Sequence, residues 1–236
     1  MGKPSSKNSR RKIKPPAPTR LLLIRHGEIE RRYQSAFGGR LDINLSARGR
    51  AQARTLADFL RGKTITAVYA SPMKRAQQTV APFLKVAATP RRPSGDEGVA
   101  ATLPPQTILP GLREVDFGDW TGYNWTEVRK KFGVHPYDWL DEIELGAVPN
   151  GENGVQFRAR VEACLFQIIR RHPGETTAIF SHGGVIRMVL AILLDLPLPK
   201  TNSFEIEYTS VTQVALHPHL NEVELLNFTP WRDWVR

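Results

Sequence analysis

The sequence predicts an α/β fold, a three-layer sandwich in which helices cover both faces of a mainly parallel central sheet. Short apolar runs alternate with segments of helical periodicity through most of the 236 residues, which is typical of strand–helix–strand units. Residues 21–24 are apolar at every position, as expected for a strand covered on both faces. In such sheets the ligand site lies beyond the carboxyl ends of the strands.

The first elements follow from the residues at their boundaries. Ser46 caps a helix that runs to about residue 61, where Gly62 ends it. Apolar residues at helical spacing give this helix one buried face. Residues 65–70 predict the next strand. Ser71-Pro72 then predicts a cap followed by proline at the first position of a helix that reaches about residue 85.

The segment after the second predicted helix lacks the periodicity of a helix or a strand. Residues 87–111 contain five prolines and three glycines, which predicts a long surface loop with a short extended piece at 107–109. The remaining predicted elements are, in order, a helix at 125–145 broken near 133–136, a helix at 154–171, a strand at 176–180, a buried helix at 184–194 and two or three strands within 204–228.

The formal charge of +10 is unevenly distributed. Residues 1–20 contain seven basic residues and no acid, and the rest of the chain has 26 basic and 23 acidic residues. The first residues also contain several prolines and cannot bury enough apolar surface to become ordered. We therefore expect a disordered basic tail at 1–19 and one folded domain at 20–236. A nucleic-acid partner is unlikely, because only the tail favours one.

Two further features bear on location. Cys164 is the one cysteine of the chain, so an intramolecular disulfide is excluded. No run approaches the roughly 20 apolar residues that a membrane-spanning helix needs. These features predict a cytoplasmic protein without a membrane segment.

Two predicted strands each end in a histidine followed by a glycine. The sequence RHGE at 25–28 follows the first strand, and SHGG at 181–184 follows the strand at 176–180. If these strands are neighbours, His26 and His182 enter one pocket. Gly183 opens a helix, whose free N–H groups favour an anion.

An arginine and a carboxylate complete the candidate site. Arg75 lies near the start of a helix, where its guanidinium can donate two hydrogen bonds to a phosphate. Residues 112–120, LREVDFGDW, hold three acids. Glu114 is our candidate for the group that loses and regains a proton. Asp116 and Asp119 are interpreted as turn or cap residues.

These motifs together make the chain resemble the histidine phosphatase superfamily, which has the phosphoglycerate-mutase-like fold. The resemblance covers about residues 21–216. The segments that carry it are RHGE at 25–28, DINLSARG at 42–49, SPMKRAQQT at 71–79, LREVDFGDWTG at 112–122, GE at 151–152 and SHGG at 181–184. Their occurrence in the family's order makes the resemblance specific.

The resemblance implies a role for each motif residue. His26 corresponds to the nucleophile and Glu114 to the acid. Arg25, Arg75 and His182 correspond to the phosphate clamp, with N–H groups near Gly183 beside them. The family uses no metal, and the resemblance implies no cofactor.

Two positions depart from the family pattern. Members often have Thr or Ser directly after RHGE and Asn three residues later, whereas this chain has Ile29 and Arg32 there. The usual side-chain donors to phosphate are therefore missing. Our hypothesis is that Arg32, or Arg31 beside it, replaces the lost donor with a charged one.

These observations favour a histidine acid-type phosphatase that hydrolyses a small phosphorylated metabolite through a phosphohistidine. His182 is expected to be protonated and to stabilise charge on the phosphoryl group. The alternatives are a phosphoglycerate mutase and a non-catalytic phosphate-binding module. A homodimer through the edge of the late strands is left open. Five aromatic residues could line the pocket or pack in the core: Tyr33, Phe37, Trp125, Tyr137 and Trp139.

Overall fold

A computed structural model describes residues 17–87, 106–135 and 138–234. The strands are β1 (Thr19–Arg25), β2 (Ala67–Ala70), β3 (Gln106–Ile108), β4 (Thr176–Ser181), β5 (Val211–Leu216) and β6 (Asn221–Phe228). The helices are α1 (Ala47–Arg61), α2 (Lys74–Ala87), α3 (Trp125–Phe132), α4 (Trp139–Leu145), α5 (Gly154–Arg171), α6 (Gly183–Leu193) and α7 (Pro230–Asp233). The predicted tail lies almost wholly outside these residues, so its disorder and the boundary at residue 20 stay predictions.

The six strands form one sheet in the order β3-β2-β4-β1-β5-β6. The neighbours β3, β2, β4 and β1 pair in parallel, whereas β5 and β6 add an antiparallel edge. Parallel neighbours need long crossover connections, and helices provide them here. The predicted α/β class and the mainly parallel sheet are confirmed.

The sheet separates two apolar cores, because alternate residues of a strand point to opposite faces. In β1, Leu21 and Leu23 face a core built with α5 and α6. Leu22 and Ile24 face the other core, beneath α1 and α2. All four side chains are at most 1% exposed. This burial on both faces explains why residues 21–24 have no polar alternation.

Several predicted boundaries change in the structure. The second strand begins at Ala67 instead of residue 65, and α6 spans Gly183–Leu193 instead of 184–194. The segment 204–228 holds two strands within the described residues. The prediction that Pro72 opens a helix was wrong, because α2 begins at Lys74. Ser71 instead continues the ladder of the sheet, where its N–H donates to the Phe180 carbonyl at 2.9 Å.

Within the described ranges, no helix is both long and apolar enough to cross a membrane.

Gly49 offers a test of how α1 fixes the loop after β1. A Cβ at Gly49 would lie 1.9 Å from the Glu28 carbonyl oxygen, whereas a Cβ at Gly62 would meet nothing within 4 Å. We expect Gly49→Ala to lower the free energy of unfolding by about 3 kcal/mol, since overpacking against backbone has no easy relaxation. Gly62→Ala is the matched control and should change it by less than about 1 kcal/mol. Urea denaturation of both variants measures the difference, and equal effects would contradict the packing described.

Candidate active site

A cavity of about 240 Å³ opens beyond the carboxyl ends of β1 and β4. Of the residues predicted from the sequence, five line it directly: Arg25, His26, Arg75, Glu114 and Gly183. His182 lies against His26, with the two ring centroids 5.2 Å apart. The topology therefore brings together six of the seven predicted site residues from four separate segments of the chain.

The pairing of β1 with β4 places the two histidines side by side. Arg25 lies opposite Ser181 in the parallel register, and the His26 N–H donates to the Ser181 carbonyl at 3.0 Å. His26 and His182 therefore directly follow the paired residues Arg25 and Ser181. They are 4% and 0% exposed respectively.

The His26 ring is held in one orientation and one tautomer. Its Nδ1 lies 2.8 Å from the Gly27 carbonyl oxygen, and a carbonyl can only accept, so Nδ1 must carry a proton. Burial lowers the pKa of His26 well below its ordinary value, and the charges of Arg75 and Arg25 lower it further. The neutral ring consequently keeps its lone pair on Nε2.

His182 is also neutral, which corrects the expectation that it is protonated. The Arg75 Nε–H donates to His182 Nδ1 at 3.1 Å, so Nδ1 acts as an acceptor. The other ring nitrogen, Nε2, donates to Ser71 Oγ at 2.8 Å. Burial, followed by the charge of Arg75, holds the pKa of His182 well below its ordinary value. In this state His182 orients Arg75 and supplies no positive charge.

Arg75 is fixed by acceptors that carry no charge. Its terminal nitrogens donate to the Leu41 carbonyl at 2.7 Å and to the Gly39 carbonyl at 2.8 Å. A guanidinium has five N–H bonds, so two remain after these contacts and the one to His182. Arg75 is 2% exposed, and burial lowers its pKa to about 10, which leaves it charged at neutral pH.

Arg25 is held less completely. Its Nη1 donates to the Ile206 carbonyl at 2.5 Å, and its guanidinium carbon lies 4.3 Å above the centre of the Tyr208 ring. Its Nε is buried without a hydrogen-bond partner. Because a buried donor without a partner is costly, this atom is well suited to an anion in the cavity.

Glu114 lies at the N-terminal end of α6. Its Oε2 accepts from the Gly184 N–H at 3.3 Å and its Oε1 from the Val115 N–H at 3.0 Å. A Cβ at residue 184 would lie 2.5 Å from Glu114 Oε1, which explains the second glycine of SHGG. The carboxylate lines the same cavity as His26.

Arg160 of α5 holds the segment that carries Glu114. It donates to the carbonyls of Gly111, Arg113 and Glu114 at 2.7, 2.8 and 3.2 Å. It also forms a two-pronged ion pair with Glu152 at 2.5 and 2.7 Å. Glu152 belongs to one of the motifs that carry the resemblance, and its contacts show that it supports this segment from outside the cavity.

Arg32 does not join the other predicted residues. Its side chain is 72% exposed, pairs with Glu30 at 3.1 Å and does not line the cavity. The short 3-10 helix Arg31–Tyr33 turns it toward solvent and Tyr33 toward the cavity. The structure thus gives no support to Arg32 as a replacement donor in this state.

The two other acids of residues 112–120 make different kinds of contact. Asp116 accepts from the Gly118 N–H at 3.1 Å, which is typical of a turn residue. Asp119 accepts from the side chain of Asn150 at 3.1 Å, 31 positions away in the chain, so its interpretation as a turn or cap residue stays a prediction.

Three groups at the site are not indicated by the sequence motifs. Arg187 of α6 and Tyr208 line the cavity, and Ser71 bonds His182. Arg187 is the one charged residue in an otherwise apolar helix, and this was a signal that could have identified it. Of the five aromatic candidates, Tyr33, Phe37, Trp125 and Trp139 line the cavity, and Tyr137 is outside the described residues.

Among residues 17–87, 106–135 and 138–234, no three or more histidines, cysteines or acids form a group that could hold a metal ion. The absence of a metal or cofactor from the reaction stays a prediction.

Comparison with known proteins identifies the family. The model of the histidine phosphatase superfamily, branch 1, matches residues 21–229, so this chain belongs to that superfamily. The extent agrees with the resemblance described from the motifs.

Several of the relatives found are named as phosphatases. The chain is 28% identical to phosphoserine phosphatase 1 of Hydrogenobacter thermophilus, over 89% of this chain and 92% of the relative. It is 28% identical to the adenosylcobalamin/alpha-ribazole phosphatase of Salmonella typhimurium, over 88% and 96%. Its structure matches that of the alpha-ribazole phosphatase from Shigella flexneri with a TM-score of 0.71 and 26% identity, over 89% and 96%.

The two buried histidines predict a specific dependence of stability on pH. Both have a lowered pKa when folded and an ordinary value of about 6.5 when unfolded, so the unfolded state binds more protons below pH 6.5. The free energy of unfolding should therefore decrease as the pH is lowered, by up to about 1.4 kcal/mol per pH unit for each histidine. The range between pH 6.5 and 5 avoids most carboxylate titration.

Urea denaturation across this range measures the slope. His26→Asn keeps a donor for the Gly27 carbonyl but does not titrate. The slope of its free energy of unfolding against pH should therefore be smaller by up to about 1.4 kcal/mol per pH unit, the contribution of one histidine. An unchanged slope in His26→Asn would contradict the neutral state assigned to His26.

Proposed function

We propose that this chain hydrolyses phosphomonoesters through a phosphohistidine formed on Nε2 of His26. The observation that carries the proposal is the neutral His26 ring, whose Nδ1 is occupied by Gly27 and whose Nε2 is left for attack. An unprotonated nitrogen is what nucleophilic catalysis by histidine requires. Membership of the histidine phosphatase superfamily and the phosphatase relatives support the same chemistry.

The charge of the cavity suits a phosphate group. Arg25, Arg75 and Arg187 contribute three positive charges, both histidines are neutral, and Glu114 is neutral while it holds the proton that it donates. A phosphomonoester carries about −1.5 to −2 at pH 7, so it offsets most of this positive charge. Phosphoryl transfer depends mainly on positioning and on stabilising charge on the phosphoryl oxygens.

The reaction then takes two steps. His26 Nε2 attacks phosphorus, the bond from phosphorus to the ester oxygen breaks, and Glu114 gives its proton to the leaving oxygen. Glu114 next takes a proton from water, the water oxygen attacks phosphorus, and the bond from phosphorus to nitrogen breaks. Inorganic phosphate leaves, and both residues return to their starting states. The contacts of Arg160 to the backbone around Glu114 support this acid–base role by fixing its position.

The shape of the cavity favours a small substrate. Its volume of about 240 Å³ lies just below the usual range of roughly 300–1,000 Å³ for ligand pockets. Phe37, Phe117, Trp125 and Trp139 give it an aromatic wall that would pack against the organic part of a phosphorylated metabolite.

The alternatives differ in the fate of the phosphoryl group. A mutase would return it to a hydroxyl of a sugar acid, whereas several of the relatives found are named as phosphatases, and this favours water as the acceptor. A module that only binds phosphate would not need the fixed tautomer of His26 or a carboxylate in the cavity.

Replacement of the nucleophile provides the first test. We expect His26→Asn to lower kcat for phosphate release by about 10⁴-fold or more, since no other histidine lines the cavity among the described residues. His219→Asn, at an exposed histidine, is the matched control and should keep the rate. Phosphate release from an aryl phosphate, together with a melting curve, measures both. Turnover near the wild-type rate in His26→Asn would refute the assignment.

The proton transfer by Glu114 provides the second test. Glu114→Gln should slow alkyl phosphates by about 10²–10⁴-fold and aryl phosphates by much less, because an aryl oxide leaves without a proton. Asp119→Asn, five residues along the same segment, should affect neither class of ester. Comparison of kcat/KM across esters of graded leaving-group pKa measures the effect, and an equal loss for both classes would argue against the acid role.

A further inference from the structure

Arg187 is a charged residue of the cavity that has no role of its own in the two reaction steps. It lies one turn beyond Gly183 on α6, and its side chain lines the same cavity as His26 and Glu114. Its Nη1 donates to the Thr201 carbonyl, which fixes the guanidinium between α6 and the 3-10 helix Leu198–Ser203. Four of its five N–H bonds remain after this contact.

The charge of Arg187 is not matched by an acid. Arg20 and Arg160 each form an ion pair with a glutamate, whereas no ion pair joins Arg187 to a carboxylate in the part of the chain that the structure describes. Burial lowers the pKa of Arg187 to about 10, so it stays charged at neutral pH. A half-buried guanidinium with free N–H donors and no ion pair is well placed to bind a ligand anion.

Arg187 lies toward the leaving-group side of the site. Glu114 accepts from the Gly184 N–H at 3.3 Å, and Arg187 lies three residues further along α6, on the same face of the helix. The leaving oxygen must lie near Glu114 to receive its proton. The organic part of the ester, which continues from that oxygen, therefore lies beside the end of α6 that carries Arg187.

The charge balance indicates what the organic part carries. Glu114 must be protonated to act as an acid in the first step, and the three arginines then give the cavity three positive charges. A phosphate dianion offsets two of them. One further negative charge completes the balance.

Resting on the proposed function, we propose that Arg187 forms a second anion subsite that selects phosphomonoesters with a carboxylate on the leaving group. A carboxylate matches the planar guanidinium with two parallel hydrogen bonds. The apolar wall of the cavity strengthens such a pair by keeping water away.

A matched pair of esters tests the subsite. 3-Phosphoglycerate and glycerol 3-phosphate have the same carbon chain, and a carboxylate in the first replaces a CH₂OH group in the second. We expect the wild-type kcat/KM to favour 3-phosphoglycerate by at least about 10-fold, as for a hydrogen-bonded charged group. Arg187→Met should bring this ratio close to one, and Arg187→Lys, which keeps the charge but not the planar fork, should give an intermediate ratio.

The control lies on a different part of the molecule. Arg170→Met removes an exposed arginine near the end of α5, at the edge of the sheet opposite the cavity, and should leave the ratio unchanged. Melting curves of all variants show whether the fold is kept. If Arg187→Met does not fold, the wild-type and Arg187→Lys ratios still decide the question.

The outcomes separate the two proposals. A wild-type protein that hydrolyses both esters equally, or an Arg187→Met variant that loses both rates in the same proportion, would overturn the subsite and leave the proposed function in place. Release of phosphate from no ester at all, aryl phosphates included, would overturn the proposed function and the subsite with it.

Discussion

The parallel pairing of β1 with β4 is the constraint on which the site depends. With Arg25 opposite Ser181, the next residue of each strand is a histidine, and the two rings meet with centroids 5.2 Å apart. A shift of the register by one residue would exchange the side chains that β1 sends into the two cores, so the close packing of both cores holds the histidines in place. The burial of Leu21 and Leu22 on opposite faces thus helps to fix the position of His26 beside His182.

The charged residues of the site are held mainly by backbone carbonyls. Carbonyls of Gly39 and Leu41 hold Arg75, and carbonyls of Ile206 and Thr201 hold Arg25 and Arg187. A carbonyl orients a guanidinium without neutralising it, so the positive charge remains for an anion. Burial, together with the charges of Arg75 and Arg25, keeps His26 unprotonated. One arrangement therefore favours both the phosphate binding and the nucleophilic role of His26 that we propose.

The sequence predicts the placement of the main groups because that placement follows from chain order. His26 and His182 each follow an apolar strand directly. In a parallel sheet the carboxyl ends of the strands lie at the same edge, and this rule is enough to predict that the two histidines come together. The protonation state of His182 and the orientation of Arg32 could not be predicted in the same way. The first depends on Arg75 and Ser71, which lie over 100 residues away in the chain, and the second depends on how a short loop turns. Arg187 was missed because its apolar helix was interpreted only as part of the core.

The most direct measurement is the identity of the atom that carries phosphorus during turnover. The reaction with an aryl phosphate can be quenched in alkali, the protein digested, and the modified peptide located by mass spectrometry, with the nitrogen assigned by NMR. The account predicts phosphorus on Nε2 of His26, because Nδ1 is occupied by the Gly27 carbonyl. Phosphorus on Nδ1, on His182 or on neither histidine would contradict it.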